Sequence, residues 1–456
     1  MSEFLHGLEF LPAETTSPVQ LRRSSIIGLV GTATMGPINT PTIVVSEADG
    51  YAKFGRNLTQ TIPQALEAIF KQGKEVGYIV VVRVRPDIED VNDEHGDFGE
   101  GNTVTLAHKP LVPGSVAVRS GVDGRPYVEN VDYVVDYEEG ILTRVAGHIK
   151  EGEILTTYSW YSDDIVNDSD IIGTDTDGKR TGIQALKDAE SLTNYKPKIL
   201  IAPWYSKTKA VFDALLAMAV DLKGKALADL AEGSTKEEAV TFAQDYKTYG
   251  GRPIICYPNA LTDPKPGTRP ISPYVAGVIS RVMNQYGYWY SPSNHPLYGI
   301  DGLETPIDFI YDSQQCTASF LNENGIITII KRDGQYYVWG NRTPSTDPDF
   351  KFISVQSQHD AHVEALIQYI LTMLDKPINK AWFENVEDSI NAFLNREISA
   401  GAIVYGKFKF LADENPPENI RQGIVTANWD WTPTYPAEHI IIKESINIDA
   451  LASLFS

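Results

Sequence analysis

Apolar, strand-like runs alternate with helix-forming segments along two stretches of this chain, and that alternation restricts the fold more than any other feature. The run at residues 78–84 is apolar almost throughout, which is typical of a strand buried on both faces. A helix is predicted at residues 61–72, and the alternation resumes at residue 198 and continues to 286, with Ser206 and Thr235 as predicted helix caps. We therefore expect a mostly parallel sheet with helices on its faces.

Between about residues 86 and 170 the helical periodicity disappears. Short alternating runs replace it, and turn signals such as Asp123-Gly124 separate them. The runs lie at residues 102–107, 115–120, 131–136 and 154–161. We interpret this part as a small, solvent-facing all-β domain that is inserted into the α/β domain.

A third pattern follows residue 344, where two amphipathic helices stand among short strand-like runs. The predicted elements are a strand at residues 352–355, helices at 359–374 and 382–395, and strands at 402–410 and 424–431. This order of elements predicts a C-terminal α+β unit.

Each end of the chain has a strand-like alternation that prolines separate from the body. The apolar positions are Phe4, Leu8 and Phe10 at the N-terminal end and Ile440, Ile442, Ile446 and Ile448 at the C-terminal end. The predicted hinges are Pro18, Pro433 and Pro436. A strand detached from its own sheet can add to the sheet of a neighbour, so both ends are candidate inter-subunit arms. The alternative for the N-terminal end is an edge strand within its own domain.

The predicted fold class is therefore a multidomain α/β and α+β protein: an α/β core, an inserted all-β domain, a C-terminal α+β domain and extended strand arms at both ends. The predicted boundaries are residues 1–23 for the N-terminal arm, 24–88 and 166–344 for the discontinuous core, 89–165 for the inserted outer domain, 345–436 for the C-terminal α+β domain, and 437–456 for the C-terminal arm.

The composition argues against several classes of function. The net charge is −21, whereas binding nucleic acid needs clustered lysine and arginine, so no nucleic-acid partner is expected. The first residues lack the basic and apolar regions of a cleaved signal, and no run approaches the roughly 18 apolar residues of a membrane span. We expect a protein that is made in the cytoplasm.

Candidate chemistry is equally sparse. The glycine-rich segment 28–36 lacks the Lys-Ser/Thr pair and the spacing of a phosphate-binding loop. Cys256 and Cys316 are too few for a disulfide framework or a structural zinc site, and both are expected to be buried thiols. His359 and His362 are interpreted as an exposed polar first turn of a helix. We expect no enzyme, no catalytic residue, no metal and no cofactor.

Several stretches resemble the contractile tail sheath proteins of bacteriophages and of related contractile injection particles. The resemblance covers most of the chain and is poor at about residues 90–165. It begins with the N-terminal arm, followed by residues 27–33 and 36–37. Its most specific stretches are Trp-Tyr-Ser-Pro-Ser-Asn at 289–294, Leu-Asn-Glu-Asn-Gly-Ile at 321–326 and Val-Trp-Gly-Asn-Arg-Thr at 338–343. We expect fold-keeping roles for the polar, glycine and tryptophan positions within them, which are Asn294, Asn322, Gly325, Trp339, Gly340 and Arg342.

This resemblance implies a mechanical function. Sheath subunits form stacked rings of six around an inner tube, their arms add strands to neighbouring subunits, and the metastable extended sheath contracts to drive the tube through a target envelope. The implied partners are other copies of the chain, the tail tube protein, and the baseplate and tail terminator proteins. The sheath itself does not insert into membrane; it is made in the bacterial host cytoplasm and forms the outer layer of the tail. The resemblance also implies that residues 345–436 form the inner, strand-accepting domain nearest the tube, in which Glu384, Glu387 and Asp388 are candidate tube-facing residues.

Two other functions remain open at this point. A tube or baseplate component of a contractile tail could have a similar α/β pattern, although it would lack the two-armed layout. A carbohydrate-binding protein is the second alternative, because aromatic side chains can form sugar platforms; the candidates are Trp204, Trp289, Trp382, Trp429 and Trp431. The sequence does not distinguish a phage tail from a headless particle.

Overall fold

A computed structural model describes residues 19–21, 23–85, 88–99, 101–145, 148–149, 153–161, 166–262, 267–313 and 315–455. Its strands are β1 Ile27–Gly31, β2 Thr42–Val44, β3 Ile79–Arg83, β4 Ile88–Asp97, β5 Thr103–Thr105, β6 Ala117–Ser120, β7 Tyr133–Asp136, β8 Ile141–Arg144, β9 Glu153–Tyr161, β10 Asp175–Thr176, β11 Lys179–Arg180, β12 Ile199–Ile201, β13 Lys225–Ala228, β14 Pro253–Cys256, β15 Ala260–Leu261, β16 Thr268–Arg269, β17 His295–Leu297, β18 Gly302–Leu303, β19 Ile326–Arg332, β20 Gln335–Trp339, β21 Ile403–Lys409 and β22 Asn428–Pro433.

The helices pack on and between these strands. They are α1 Glu47–Phe54, α2 Thr61–Phe70, α3 Asp168–Ile172, α4 Ala189–Thr193, α5 Lys209–Asp221, α6 Lys236–Gln244, α7 Ser272–Gln285, α8 Thr317–Glu323, α9 Ile353–Leu371, α10 Lys380–Ser399 and α11 Pro417–Arg421.

The main sheet of the described residues has the strand order β17-β20-β19-β14-β13-β12-β1-β3-β2. Its central pairs, from β19 through β14, β13, β12 and β1 to β3, are parallel, and β2, β20 and β17 join at the ends in antiparallel pairs. The central strands are buried on both faces, where two large apolar clusters pack against the helices. The doubly covered, mostly parallel sheet agrees with the prediction from apolar runs.

Residues 88–161 form two small antiparallel sheets in the orders β4-β9-β6 and β5-β8-β7. Tyr133, Leu142 and Tyr158 are among the buried side chains of a separate apolar cluster between them. The strands β4 and β8 were not predicted, because β4 is rich in acidic residues and β8 follows directly on a turn.

Two local predictions in the α/β and C-terminal regions are wrong. Ser206 does not cap α5: Thr208 precedes that helix, and the Ser206 hydroxyl is buried against Asp229 at 3.3 Å. The predicted strand at 352–355 is the first turn of α9, because Ile353 and Val355 are buried there by tertiary packing that outweighs their β propensity. The capping box of Thr235 and Glu238 at α6 is confirmed.

Candidate assembly site at the C-terminal arm

The stretches 321–326 and 338–343 contact each other backbone to backbone, which explains their residue types. Gly325 has φ +73°, and a Cβ on it would lie 2.3 Å from the carbonyl carbon of Thr343. Gly340 has φ +121°, and a Cβ on it would lie 2.5 Å from Oδ1 of Asn322. The Asn322 side chain donates to the Trp339 carbonyl oxygen at 3.3 Å. At Gly325 the close neighbour is backbone, so only glycine fits there, and at Gly340 the positive φ favours glycine.

Asn294 and Trp339 lie at the same corner of the fold. Asn294 adopts φ +63°, its backbone N–H donates to the Val338 carbonyl at 2.7 Å, and its side chain accepts from Arg332 at 3.1 Å. The Trp339 ring is half-buried and packs edge-on against Phe309, with ring centroids 4.7 Å apart. These contacts are the kind expected of fold-keeping positions.

Arg342 forms an ion pair with the first part of the C-terminal arm. Its Nε lies 2.7 Å and its Nη2 2.6 Å from Oε2 of Glu438. Upstream, the Gln358 side chain donates to the Thr434 carbonyl at 2.9 Å and accepts from the Thr434 N–H at 3.0 Å. Pro433 is buried at the end of β22. The chain from Pro433 to Glu438 is therefore attached to the body, and the predicted hinges Pro433 and Pro436 lie inside this attached segment.

A groove of about 1040 Å³ lies beside this ion pair. Its walls come from two of the family-like stretches, at residues 289–295 and 339–342, from the segment 309–313, and from the root of the arm at 434–440. The stretches that carry the resemblance thus position the point at which the arm leaves the body.

Beyond the ion pair, the arm exposes a row of isoleucines. Ile440, Ile442 and Ile446 are 73%, 86% and 87% exposed, and residues 437–447 form no helix or strand in the described structure. Ile448, which the sequence analysis places in the strand, begins a 3-10 helix, Ile448–Phe455. Exposed apolar side chains grouped in this way are more common at interaction sites than elsewhere on protein surfaces. The predicted N-terminal arm residues Phe4, Leu8 and Phe10, and the hinge Pro18, lie outside the described residues.

The C-terminal unit consists of the two-stranded sheet β21–β22 packed on α9 and α10. Its apolar core includes Leu366, Ile390, Phe393 and Phe408, with Val19 from the start of the described chain. Two strands alone are marginally stable, and here the helices supply the packing.

Buried ion pairs fasten α9 to the N-terminal ends of the central strands β12, β13 and β14 of the main sheet. Asp360 accepts from Nη1 and Nη2 of Arg252 at 3.0 and 2.9 Å. Burial raises the pKa of Asp360, but hydrogen bonds and the guanidinium outweigh it and hold that pKa below its ordinary value. Lys198 pairs with Glu364, and burial lowers the pKa of Lys198 to about 8. Burial likewise lowers the pKa of Lys225, which is attracted by Asp360, to about 8.

A second buried cluster joins the core to the same unit. The Tyr288 hydroxyl lies 2.6 Å from Glu397 and 2.9 Å from Nε2 of His362, which is fully buried. Burial and Glu397 raise the pKa of Tyr288 well above its ordinary value. The interpretation of His359 and His362 as an exposed first turn is wrong, because α9 begins six residues before His359.

The candidate tube-facing carboxylates share α10 but not one environment. Glu384 and Asp388 are exposed, and Glu384 lies 3.5 Å from Lys380. Glu387 is half-buried and accepts from the Phe410 N–H at 3.0 Å, so it is bound to the sheet.

Within the described ranges there is no cluster of three or more potential metal ligands, and no helix there is long and apolar enough to cross a membrane. Both cysteines are buried, and burial raises the pKa of Cys256 well above its ordinary value. Sequence reasoning missed Gln358, Asp360 and Glu438. Nothing in the sequence indicated that these polar residues are paired, because their partners Thr434, Arg252 and Arg342 are distant along the chain.

Taken together, the described residues form an α/β body that buried polar contacts join to a small helix-backed sheet, followed by an exposed apolar segment. A family model described as the phage tail sheath protein central domain matches residues 178–344, and one described as the tail sheath protein Gp18 domain III N-terminal region matches residues 24–84. The tail sheath protein of Burkholderia phage BcepMu is 33% identical, over 99% of this chain and 99% of that protein. The chain therefore belongs to the tail sheath protein family of contractile tails.

Solved structures show the same fold. The helical sheath of the anti-feeding prophage in its contracted state is similar with a TM-score of 0.60 and 18% identity, over 98% of this chain and 100% of that chain. The six-fold symmetrised baseplate structure of the anti-feeding prophage contains a chain that is similar with a TM-score of 0.58 and 18% identity, over the same shares.

Proposed function

We propose that this chain polymerises into stacked rings of six subunits around an inner tube, and that neighbouring subunits are linked by strand addition of their terminal arms. The observation that carries the proposal is the row of exposed isoleucines at residues 440–446, which leaves the body at a fixed point. Unpaired strand-like segments of this kind add to the sheets of other chains. The six-fold baseplate and the helical sheath of the similar structures support rings and helical stacking.

The proposed domain layout is the one predicted from the sequence, except that the core and the inner domain move as one body. The two family models match within the ranges 24–88 and 166–344, and the interval between them contains the small antiparallel sheets, which supports an inserted outer domain. The inner domain at 345–436 contains the helix α9, whose first half is buried against the core. We therefore treat the core and the inner domain as one rigid body.

In this proposal the arm bends after Glu438 rather than at Pro433 or Pro436, because Arg342 and Gln358 hold the preceding segment. The arms at residues 1–23 and 437–456 keep subunits connected while the rigid bodies reorient. The extended sheath is metastable, and contraction releases the free-energy difference between two packings of one lattice, without an enzymatic step.

The tube protein would meet the inner domain through α10. Glu384 and Asp388 offer exposed carboxylates for a basic tube surface, whereas Glu387 is occupied by the Phe410 backbone. The baseplate and the tail terminator are the partners at the two ends of the stack. In the assembled particle the chain forms the outer layer of the tail, after synthesis in the bacterial host cytoplasm.

Negative-stain electron microscopy of the concentrated protein, with and without residues 438–456, tests this function. We expect wide, hollow, helical tubes from the intact chain and folded monomers from the truncated one. Circular dichroism of the truncated chain is the control for folding. Tubes of normal length from the truncated chain would contradict arm linkage, and monodisperse particles from both chains would contradict spontaneous polymerisation.

A further inference from the structure

The groove of about 1040 Å³ at the root of the arm has apolar walls. Aromatic and aliphatic side chains from three segments line it: Trp289, Tyr290, Phe309, Ile310, Tyr311 and Trp339. The Phe309 ring centroid lies 4.7 Å from that of Trp339 and 4.9 Å from that of Tyr311, so these three rings form one continuous aromatic wall. Tyr290, Ile310 and Tyr311 are exposed, so the groove has apolar surface left to bury.

The last helical segment of the described chain has one apolar face. The 3-10 helix Ile448–Phe455 has about three residues per turn, so residues three apart lie above one another. Ile448, Leu451 and Leu454 have this spacing, and all three side chains are exposed. The helix therefore presents a row of three large apolar side chains that its own chain leaves uncovered.

The groove adjoins one end of the sheet β21–β22. Gly401, which lies just before β21, and Thr434, which follows β22, are among its lining residues. In the proposed function the arm of a neighbouring subunit adds to the inner domain. An arm that runs towards this end of the sheet carries the helix Ile448–Phe455, which follows it directly, to the groove.

We propose that the groove receives the helix Ile448–Phe455 of a second copy of this chain, with Ile448, Leu451 and Leu454 against the aromatic wall. This inference rests on the proposed function and adds an anchor on the core domain. In its own chain the helix does not fill the groove, since both keep exposed apolar side chains. An apolar segment and a groove on different parts of one molecule make a head-to-tail contact, which generates open helical assemblies when the rotation does not close.

Disulfide trapping in mixed tubes tests the contact. Donor chains receive Leu451→Cys, and acceptor chains receive either Tyr290→Cys in the groove or Tyr298→Cys, which does not line it. Tyr290 and Tyr298 are 46% and 43% exposed, so the two acceptors are matched in residue type and accessibility. Each variant is added as a minority to unsubstituted chains, so that tubes form before oxidation. Acceptors without an added cysteine give the background from native Cys316, which is buried close in sequence to the lining segment 309–313.

A disulfide needs Cα atoms within about 7 Å, so we expect about tenfold more cross-linked dimer with Tyr290→Cys than with Tyr298→Cys. A second measurement uses the apolar row itself. Burying a leucine side chain favours association by about tenfold or more, so a chain with both Leu451→Ser and Leu454→Ser should need at least about tenfold more free subunit to coexist with tubes. Circular dichroism of this variant is the control for folding.

Equal or higher yield with Tyr298→Cys, in tubes that contain both variants, would overturn the groove as the binding site. One chain with both Leu451→Cys and Tyr290→Cys that closes an intrachain disulfide in dilute solution as efficiently as in tubes would overturn the second copy as the occupant. An unchanged free-subunit concentration with the two serine substitutions would overturn the apolar contact. Absence of tubes from the unsubstituted chain would contradict the proposed function instead.

Discussion

Replacing Asp360 by asparagine tests whether buried charge fastens α9 to the core. The Asp360 and Arg252 side chains are 7% and 15% exposed, and two hydrogen bonds of 2.9 and 3.0 Å join them. Asp360→Asn keeps the shape but leaves the Arg252 guanidinium and the nearby Lys225 without their counter-charge. Removing one partner of a buried ion pair costs about 3–5 kcal/mol, and the low exposure of both groups supports that range here.

The assay is urea unfolding of unassembled protein, followed by tryptophan fluorescence. Trp429 and Trp431 report on α9 directly, because their rings pack against His359 with centroids 6.2 and 6.0 Å away. Glu384→Gln is the matched control, since it removes an exposed carboxylate from a pair on α10. An exposed pair is worth about 0–1 kcal/mol, so the control should shift the free energy of unfolding by no more than that.

A loss with Asp360→Asn that is no larger than the loss with Glu384→Gln would refute the reasoning. It would mean that water or rearranged neighbours compensate Arg252 after the substitution. In that case the core and the inner domain would not be fastened by charge, and the rigid-body part of the proposed contraction would lose its structural basis.

Three further predictions follow from individual positions. Gly325→Ala should lower the free energy of unfolding by about 2 kcal/mol or more, because the new Cβ would lie 2.3 Å from the Thr343 backbone. Gly334→Ala is the control: its φ is similar and no atom lies near its Cβ position, so it should cost about 1 kcal/mol. Equal losses of the two variants in thermal unfolding would contradict this prediction. The pKa of Lys225 is about 8 in the folded chain, below its ordinary 10.5, so the unfolded chain binds more protons between these values and the free energy of unfolding rises with pH there. Lys225→Met should reduce the rise between urea titrations at pH 8 and pH 9.5. An unchanged rise would contradict the lowered pKa of Lys225. Reversing the charge of Glu384 and Asp388 to lysine should weaken co-sedimentation with tail tubes, while equal co-assembly would remove α10 as the tube contact.

Three residues illustrate which features of the fold the sequence predicted and which it did not. The sequence predicted structural roles for Gly325 and Gly340, and both lie in close contacts. It did not predict their partners, Thr343 and Asn322. His362 looked like a surface residue because its neighbours in sequence are polar, yet it is fully buried. Burial of a helix face is predicted from the spacing of its apolar residues. A face that is buried through polar residues, because they pair with groups of another domain, therefore looks exposed in the sequence.

The sequence by itself determined the mostly parallel sheet, the helix-backed C-terminal unit and the strand-like alternation of the C-terminal arm, because hydrophobic periodicity is a property of neighbouring residues. It also carried the family resemblance, in three short stretches. Only the tertiary structure decided that residues 352–355 are helical, that Arg342 holds Glu438 across 96 positions, and that Asn391 occupies the edge of β21. The physical reason is that these features depend on which distant groups the folded backbone brings within hydrogen-bonding distance.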